Sequence, residues 1–313
     1  MVVAICSALA LTALGILRER LLEREPVYAA HPLHYWLSIA EGDASLNWFG
    51  ISRSEALEKR DLALDALQHM GTNALPCLLD WVKYDGTGWR AKTASLLRTL
   101  RQKPFCAWVP RSLAKDRGSY LAYVAPVGLR LLGPAATPAI PELTRMAKSG
   151  HEALAANALD CLGFQLGPYA LPALIDILST GSVASKARTR AAYLISLQHT
   201  NALPAIPILI GCLGDKDMMV AAAAADALGD LGLRPGTTLP ALMSALRDQR
   251  PYVRTKAIYA ISAFGDEARA AASDLSRLVS DSDPKVREAA SAVLGEIAPE
   301  WLTNAAAVSP VTR

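Results

Sequence analysis

Two segments near the end of the chain carry the same helical pattern: Pro251-Tyr-Val-Arg-Thr-Lys-Ala-Ile-Tyr-Ala-Ile-Ser-Ala-Phe-Gly265 and Pro284-Lys-Val-Arg-Glu-Ala-Ala-Ser-Ala-Val-Leu-Gly295. Four matching pairs of positions lie 33 residues apart, namely Val253 and Val286, Arg254 and Arg287, Ala257 and Ala290, and Ile261 and Leu294. Small and apolar residues at steps of three and four indicate the packed face of an α-helix. Self-similarity at a fixed period predicts a solenoid, in which each unit stacks on its neighbours.

The same pattern can be followed back through most of the chain. An apolar residue followed by proline marks a helix start, because proline in the first turn of a helix loses no hydrogen bond. The marker positions are Pro76, Pro110, Pro141, Pro172, Pro207, Pro240 and Ser273, at spacings of 31 to 35 residues. Each unit reads as helix, turn, helix, without a competing strand pattern. We therefore predict an all-α fold of about seven two-helix units.

The composition allows a large core and argues against several classes of function. The chain has 313 residues, of which 52% are hydrophobic, and a formal net charge of +3. This small charge provides no basic footprint for nucleic acid and no acidic excess for cations. The five cysteines are scattered without a CxxC pair. This spacing argues against a disulfide framework or a zinc site and predicts small, buried side chains.

The N-terminal segment is apolar. Residues 2–17 carry no charge, and Arg18, Arg20 and Arg24 follow them. Because a cleaved signal peptide has its basic residues before the apolar run, we interpret residues 2–17 as an uncleaved membrane anchor, with a cleaved signal or a buried helix as alternatives. The arginines that follow favour the cytoplasmic side over the periplasmic or extracellular one. The segment thus predicts a single-pass, membrane-anchored protein.

The residues between the apolar segment and the repeats contain two histidines that could be taken for a metal pair. His31 and His34 have a spacing that suits one helix face, but Pro32 lies between them and no third ligand is near. We predict no metal and no cofactor, and expect the aromatic residues here to pack on the first repeat. The predicted parts of the chain are an anchor helix at 1–25, a linker at 26–53, the repeat solenoid at 54–300 and a flexible tail at 301–313.

The repeated pattern resembles the HEAT repeat family, particularly the bacterial HEAT-like units also seen in phycobilin lyases. The motifs that carry this resemblance, within about residues 73–299, are Ala170-Leu-Pro-Ala-Leu174, Ala205-Ile-Pro207, Ala225-Asp-Ala-Leu-Gly229 and Asp283-Pro-Lys-Val-Arg287. The resemblance implies a right-handed α-α superhelix whose second helices line a concave groove. It also implies a non-catalytic scaffold for protein–protein interaction, here anchored to a membrane.

The resemblance further implies a ladder of ion pairs between repeats. In such repeats an aspartate six residues before an arginine bonds across units, and the matching pairs are Asp248/Arg254 and Asp281/Arg287. Asp215 has Ala221 where the arginine belongs, whereas Arg188 has Ser182 where the aspartate belongs. We therefore expect the ladder to be broken in its middle.

A helical wheel identifies residues that point away from the packed face of the second helices. Tyr259 faces the presumed groove, and moving back one repeat unit at a time gives the matching positions Asp226, Tyr193 and Asp160. Tyrosine and arginine are frequent anchors of interfaces, and a partner bearing basic and apolar groups would suit this row. The predicted partner-binding residues are Asp160, Arg190, Tyr193, Asp226, Lys256 and Tyr259.

An enzyme and a nucleic-acid-binding solenoid are the alternatives. HEAT-like lyases and DNA glycosylases exist, but Asp160 and Asp226 lie two units and thus about 20 Å apart, too far for a catalytic carboxylate pair. The stretch 98–117 combines cations with Phe105 and Trp108, which could stack on bases. A solvated loop with both rings in the core explains this stretch as well. We predict no catalysis, no small-molecule substrate, and a protein partner in preference to nucleic acid.

Overall fold

A computed structural model describes residues 25–41, 58–84, 95–96, 99 and 117–301. The predicted anchor at 2–17, the predicted unit start at Pro110 and most of the predicted tail at 301–313 lie outside these residues. The chain divides into two compact units, Met1–Leu143 and Thr144–Arg313. The described part is helical apart from one short hairpin in the first unit and the turns between helices.

The first compact unit joins a hairpin to a small group of helices. Its described elements are β1 (Val27–Tyr28), β2 (His31–Pro32), α1 (Leu33–Glu41), α2 (Arg60–Met70), α3 (Leu75–Val82) and α4 (Arg117–Leu132). Helix α1 packs on α2 and α4 and buries Leu33, Trp36 and Leu37. The Trp36 indole N–H donates to a hairpin carbonyl, that of Tyr28, at 3.0 Å. The stretch predicted as a linker thus contains a packed helix, while the domain boundaries stay a prediction.

The second compact unit is built from stacked helix pairs. The helices from α5 onward are α5 (Ile140–Ala147), α6 (Glu152–Asp160), α7 (Leu171–Ser179), α8 (Ser185–Ser196), α9 (Ile206–Cys212), α10 (Met218–Leu231), α11 (Pro235–Ala245), α12 (Pro251–Ser262), α13 (Ala272–Leu278) and α14 (Pro284–Ile297). From α7 onward, each first helix packs on the second helix that follows it. The second helices α6, α8, α10, α12 and α14 pack side by side in that order. This stacking confirms the predicted all-α solenoid, whereas the handedness of the superhelix stays a prediction.

The packed face of the second helices lies where the period places it. On α12, the side chains of Val253, Ala257 and Ile261 have no exposed surface. The matching residues of the next unit on α14, which are Val286, Ala290 and Leu294, are equally buried. Burial of such apolar surface contributes about 25 cal/mol per Å², so these alanine and leucine seams stabilise each contact between units.

Helix α10 illustrates how local sequence sets the helix ends and spacing. Asp217 caps the N-terminus of α10, where its carboxylate accepts the Met219 N–H at 2.8 Å. Gly232 ends α10 at a φ of 56°, in the left-handed region that favours glycine. Gly229 faces α12, and a Cβ added there would lie 2.8 Å from the Cα of Ala260. Glycine at this position therefore allows α10 and α12 to approach closely.

The proline markers fall at helix starts with one exception among the described residues. The second residue of the helix is Pro76 in α3, Pro141 in α5, Pro172 in α7, Pro207 in α9 and Ser273 in α13. Pro240 instead lies inside α11, which begins at Pro235. In the unit that follows, a 3₁₀ segment, Gly265–Ala271, precedes the helix. In the α11 unit, the corresponding residues from Pro235 onward belong to the α-helix itself, because Pro235 provides an earlier helix start.

The prediction of a single-pass, membrane-anchored protein is contradicted and is corrected here. In the part of the chain that the structure describes, no helix has the length and apolar character needed to cross a membrane. The longest of the described helices, α4, has 16 residues and extends about 24 Å, against a hydrocarbon layer of about 30 Å.

Candidate functional site

The six residues predicted to bind a partner lie on the second helices of the second compact unit. They are Asp160 at the end of α6, Arg190 and Tyr193 on α8, Asp226 on α10, and Lys256 and Tyr259 on α12. We call the surface that they form the second-helix face. Tyr193 and Tyr259 are 45% and 50% exposed, in agreement with the helical wheel. Whether these residues bind a partner stays a prediction.

Arg190 forms the centre of a first cluster on this face. Its Nη2 and Nε donate to Oδ1 of Asp160 at 2.6 and 3.1 Å. The guanidinium carbon lies 5.6 Å from the ring centroid of Phe164 and 5.4 Å from that of Tyr193. The cation is therefore held over two aromatic rings and one carboxylate, an arrangement that limits its rotamers.

Phe164 was not among the predicted residues, although its ring is exposed on the same face. It lies in Cys161–Gln165, a π-helical segment that continues α6. A wheel drawn at 100° per residue loses its phase in such a segment, because each turn contains an extra residue. The neighbouring Asp160 lies at the end of the regular helix, before the phase shifts, and its carboxylate accepts a hydrogen bond from Arg190.

Lys256 forms the centre of a second cluster, two units further along the chain. Its Nζ lies 2.8 Å from Oδ2 of Asp226 and 5.7 Å from the ring centroid of Tyr252. The hydrogen bond to Asp226 raises the pKa of Lys256 above its ordinary value, against the lowering effect of partial burial. In both clusters the cation pairs with an acid of the preceding second helix, so the two arrangements repeat with a period of two units.

These ion pairs change the chemistry expected of the second-helix face. From the sequence alone, Asp160 and Asp226 are expected to attract a basic partner. Each instead already has a cation from the next second helix within hydrogen-bond distance. The two clusters therefore expose paired charges together with aromatic side chains, which are Phe164 and Tyr193 in the first cluster and Tyr252 in the second.

A shallow cavity of about 400 Å³ opens between α8 and the start of α10. Its lining residues are Ser185, Lys186, Thr189, Arg190, Tyr193 and Met219. The α8 residues among them lie at steps of three or four and so share one side of the helix. The cavity has the volume of a small ligand site, and a single apolar side chain of a partner could enter it.

The residues of the inter-repeat ladder meet different partners from those expected. Nη1 of Arg254 donates to the backbone carbonyls of Asp248 and Gln249, at 2.8 and 3.2 Å. Nη2 of Arg254 donates to the carboxylate of Asp281 at 2.6 Å. Arg287 likewise donates to the Asp281 carbonyl at 2.8 Å. Each arginine thus bonds the backbone of the aspartate that precedes it in the same unit, and Arg254 also bonds the carboxylate of the corresponding aspartate in the next unit.

The ladder is continuous where a break was expected. Arg188 donates to the carboxylate of Asp215 at 2.5 Å. At the next step Ala221 cannot donate, but Arg250 donates to the carbonyls of Asp215 and Lys216, at 2.7 and 3.3 Å. Two further bonds, of 2.8 and 2.7 Å, join Arg250 to the carboxylate of Asp248. Arg250 therefore makes the contacts that an arginine at position 221 would make.

The ladder also shifts the titration of its carboxylates. The hydrogen bond from Arg250 lowers the pKa of Asp248, although burial acts in the opposite direction. Burial raises the pKa of Asp215 and Asp281, but hydrogen bonds from backbone N–H groups and from Arg188 or Arg254 outweigh it, so that both are lowered. All three carboxylates are therefore held in their charged form.

The other candidate groups are structural. The described cysteines, Cys77, Cys161 and Cys212, are buried, and burial raises the pKa of Cys161 to about 12. His34 Nδ1 lies 2.5 Å from Glu25 Oε2, whereas His31 stacks on Tyr35. Among residues 25–41, 58–84 and 117–301, no three His, Cys, Asp or Glu side chains converge on a metal position.

The basic and aromatic stretch at 98–117 lies almost wholly outside the described residues. Its two rings, Phe105 and Trp108, and the cations from Arg98 to Lys115 belong to that part of the chain. The hypothesis of base stacking on these rings therefore stays a prediction.

Comparison with family models identifies HEAT repeats in the C-terminal third of the chain. One model, described as HEAT repeats, matches residues 221–295 and 239–312. A second, described as HEAT repeat, matches residues 205–233. The matched range contains the second helices α10, α12 and α14 and includes the three residues of the second cluster, Asp226, Tyr252 and Lys256. No curated protein matches the chain in sequence.

Several solved structures share a general likeness with the chain. A designed armadillo repeat protein in complex with the peptide (KR)4 is 16% identical, with 84% of this chain and 98% of that chain covered and a TM-score of 0.37. An engineered protein is 18% identical, with 88% and 87% covered and a TM-score of 0.37. Human deoxyhypusine hydroxylase in complex with glycerol is 16% identical, with 73% and 97% covered and a TM-score of 0.35. At these TM-scores the likeness supports no conclusion about function.

Proposed function

We propose that this protein, whose residues 205–312 carry HEAT repeats, is a non-catalytic interaction module that binds a protein partner on the second-helix face. The observation that supports this most directly is the pair of cation–aromatic clusters around Arg190 and Lys256. Both clusters have exposed rings on helices whose opposite faces are fully packed.

Exposed aromatic side chains on a rigid support have the properties of interface anchors. Phe164, Tyr193, Tyr252 and Tyr259 each leave 40% or more of their surface exposed. Grouped apolar surface of this kind marks interaction sites more often than scattered single residues do. Tyrosine and arginine are also enriched among residues that dominate binding energy.

The ion pairs add to this role by fixing the side chains in advance. A partner that binds a flexible side chain must offset about 0.5–1.5 kcal/mol of lost rotamer freedom for each one. Arg190 already contacts Asp160, Phe164 and Tyr193 in the free protein. The first cluster therefore presents a surface whose shape needs little further ordering.

An enzymatic role receives less support from the same residues. Asp160 and Asp226, which the repeat period already separates too widely for a catalytic carboxylate pair, are each bound by a cation from the next second helix. They lie two units apart, and both are bound as structural partners of a neighbouring side chain. Their arrangement favours recognition over general acid–base chemistry.

The test compares capture of partners by the full chain and by the double variant Tyr193→Ala/Tyr259→Ala. We expect the double variant to capture at least tenfold less partner protein from an extract of the source cells than the wild-type chain captures. The melting temperature should change by less than about 2 °C, because both rings are half exposed.

Tyr169→Ala is the matched control for this experiment. Tyr169 is 53% exposed but lies in the 3₁₀ segment Gly167–Ala170, which leads into the first helix α7 and is not part of a second helix. It should leave capture unchanged. Equal loss with Tyr169→Ala, or full capture by the double variant, would contradict the proposal.

A further inference from the structure

The first cluster depends on the π-helical segment Cys161–Gln165, which continues α6. At its end the Leu166 N–H donates to the Cys161 carbonyl, five residues back, at 3.1 Å. One extra residue in a turn rotates the side chains beyond it by up to about 100° relative to a regular helix. The position of the Phe164 ring, with its centroid 5.6 Å from the guanidinium carbon of Arg190, is therefore set by this segment.

A π-helical turn changes which backbone groups can pair. In this register a carbonyl accepts from the N–H group five residues further on. For the carbonyl of Gly163, which is buried, that residue is Pro168, and proline has no N–H. A buried carbonyl is stable only with a donor, so a donor from outside the helix stabilises the segment.

The side chain of Gln198, which follows helix α8, provides such a donor. Its Nε2 donates to the Gly163 carbonyl at 3.1 Å and to the Leu194 carbonyl at 3.3 Å. Both acceptors are carbonyl oxygens, so the amide nitrogen is the atom that faces them. Gln198 is only 6% exposed, and a hydrogen bond in such a low-dielectric site is stronger than one in water. The amide thus joins the π-helical segment to the next repeat unit.

Two glycines let the segment lie close to these residues. A Cβ added at Gly163 would lie 2.4 Å from Cδ2 of Leu194, so only glycine allows this approach to α8. A Cβ added at Gly167 would lie 3.6 Å from Oε1 of Gln198. The Gln198 amide therefore lies beside both ends of the short stretch that carries Phe164.

We infer that Gln198 is a positioning residue of the second-helix face: its hydrogen bond to the Gly163 carbonyl holds the π-helical segment and keeps the Phe164 ring over Arg190. Gln198 is almost fully buried and acts on a partner only through that ring. The inference rests on the proposed function where it makes the Phe164 ring part of the binding surface. The placement of the ring can be measured without any partner.

Fluorine NMR of the full chain, produced with para-fluorophenylalanine, observes this ring directly. The chain has four phenylalanines, so Phe164→Leu and Phe264→Leu each assign one resonance by its loss. Arg190→Ala defines the resonance of a Phe164 ring without its cation. We expect Gln198→Met, which keeps the length of the side chain but removes the donor, to move the Phe164 resonance by at least half of the shift that Arg190→Ala produces.

Two further variants make this result specific. Gln249→Met is the matched control, because Gln249 is exposed in a turn, and it should leave the Phe164 resonance unchanged. Gln198→Asn retains the amide but is one methylene shorter, so it should move the resonance in the same direction by a smaller amount. This milder variant carries the test if Gln198→Met does not fold. Phe264, which is 6% exposed, is the internal reference and should not shift.

The NMR outcomes decide the inference by themselves. A Phe164 resonance that stays in place in both Gln198 variants would overturn it, and so would an equal shift with Gln249→Met. A Phe264 resonance that moves as far as that of Phe164 would indicate a general loss of packing and would also overturn it.

Partner capture then separates the inference from the proposed function. We expect Gln198→Met to capture at least about threefold less partner, since one anchoring ring is displaced. If the Phe164 resonance moves but capture is unchanged, Gln198 positions the ring and the ring is not part of the binding surface, which overturns the functional half of the inference. If Tyr193→Ala/Tyr259→Ala loses the partner while Gln198→Met leaves the Phe164 resonance in place, the proposed function stands and this inference fails.

Discussion

At two neighbouring joints between repeat units of the second compact unit, equivalent backbone carbonyls accept hydrogen bonds from arginines at different positions in the chain. Between α12 and α14, Arg254 is on the helix, donates to its own turn and reaches forward to Asp281. Between α10 and α12, the helix position holds Ala221, and Arg250 from the following turn reaches back. The joint requires a guanidinium at one point in space, and two positions in the sequence can provide it.

The second arrangement has a consequence for helix α12. Position 250 corresponds to Asp217 and Asp283, whose carboxylates cap α10 and α14. Arg250 makes no side-chain cap for α12, and a missing cap costs about 1 kcal/mol. An unpaired, largely buried carboxylate at Asp248 would cost about as much or more. The exchange of a cap for a ladder contact is therefore favourable.

The largest expected effect comes from Arg254→Ala at the first joint. The variant leaves the carboxylate of Asp281, whose side chain is 9% exposed, without its cationic partner, and should lower the free energy of unfolding by about 3 kcal/mol. Urea denaturation measures this change. Arg287→Ala, at the same position of the next helix, should cost less than about 1 kcal/mol, because Arg287 is exposed. Equal losses of unfolding free energy in the two variants would mean that the contact between Arg254 and Asp281 does not stabilise the protein.

A smaller effect is expected from Arg250→Ala at the second joint. Its side chain is 27% exposed, so the loss should be about 1–2 kcal/mol. Adding Ala221→Arg to this variant should recover at least half of the loss, because the guanidinium returns to the same carbonyls. Ala221→Arg alone should destabilise the protein, since Arg250 already occupies that space. A double-mutant cycle by urea denaturation measures the coupling, and simple additivity would contradict the idea of one shared position.

The smallest expected effect is a loss of stability at acidic pH, and it should apply to both joints. The folded-state pKa values of Asp248 and Asp281 lie below the ordinary 3.8. Their stabilisation is therefore complete above about pH 4 and is lost as the pH falls through the folded-state values. The difference in unfolding free energy between wild type and Asp281→Asn should shrink from pH 7 to pH 3. A difference that stays constant with pH would show that the charge of Asp281 does not stabilise this joint.

Much of the scaffold could be predicted because a helix face depends only on residues within a few turns. The repeat period placed Val253 and Ala257 in the core and left Tyr259 exposed. Prediction failed where the local rule changed: at Pro240, where an earlier proline begins the helix, and at Phe164, where a π-helical segment shifts the phase. The sequence thus indicated six residues of the candidate site but missed two of its rings, Phe164 and Tyr252.

The sequence by itself determined that alanine- and leucine-rich helix pairs repeat, and which side of each second helix is packed. Tertiary structure alone decided which partner each charged side chain meets: Arg254 bonds the carboxylate of Asp281, Arg250 bonds the carbonyl of Asp215, and Lys256 pairs with Asp226. The physical reason is distance. Burial follows the helical period along one segment, whereas an ion pair depends on how far turns of separate units lie from each other in space, and a single sequence does not record that separation.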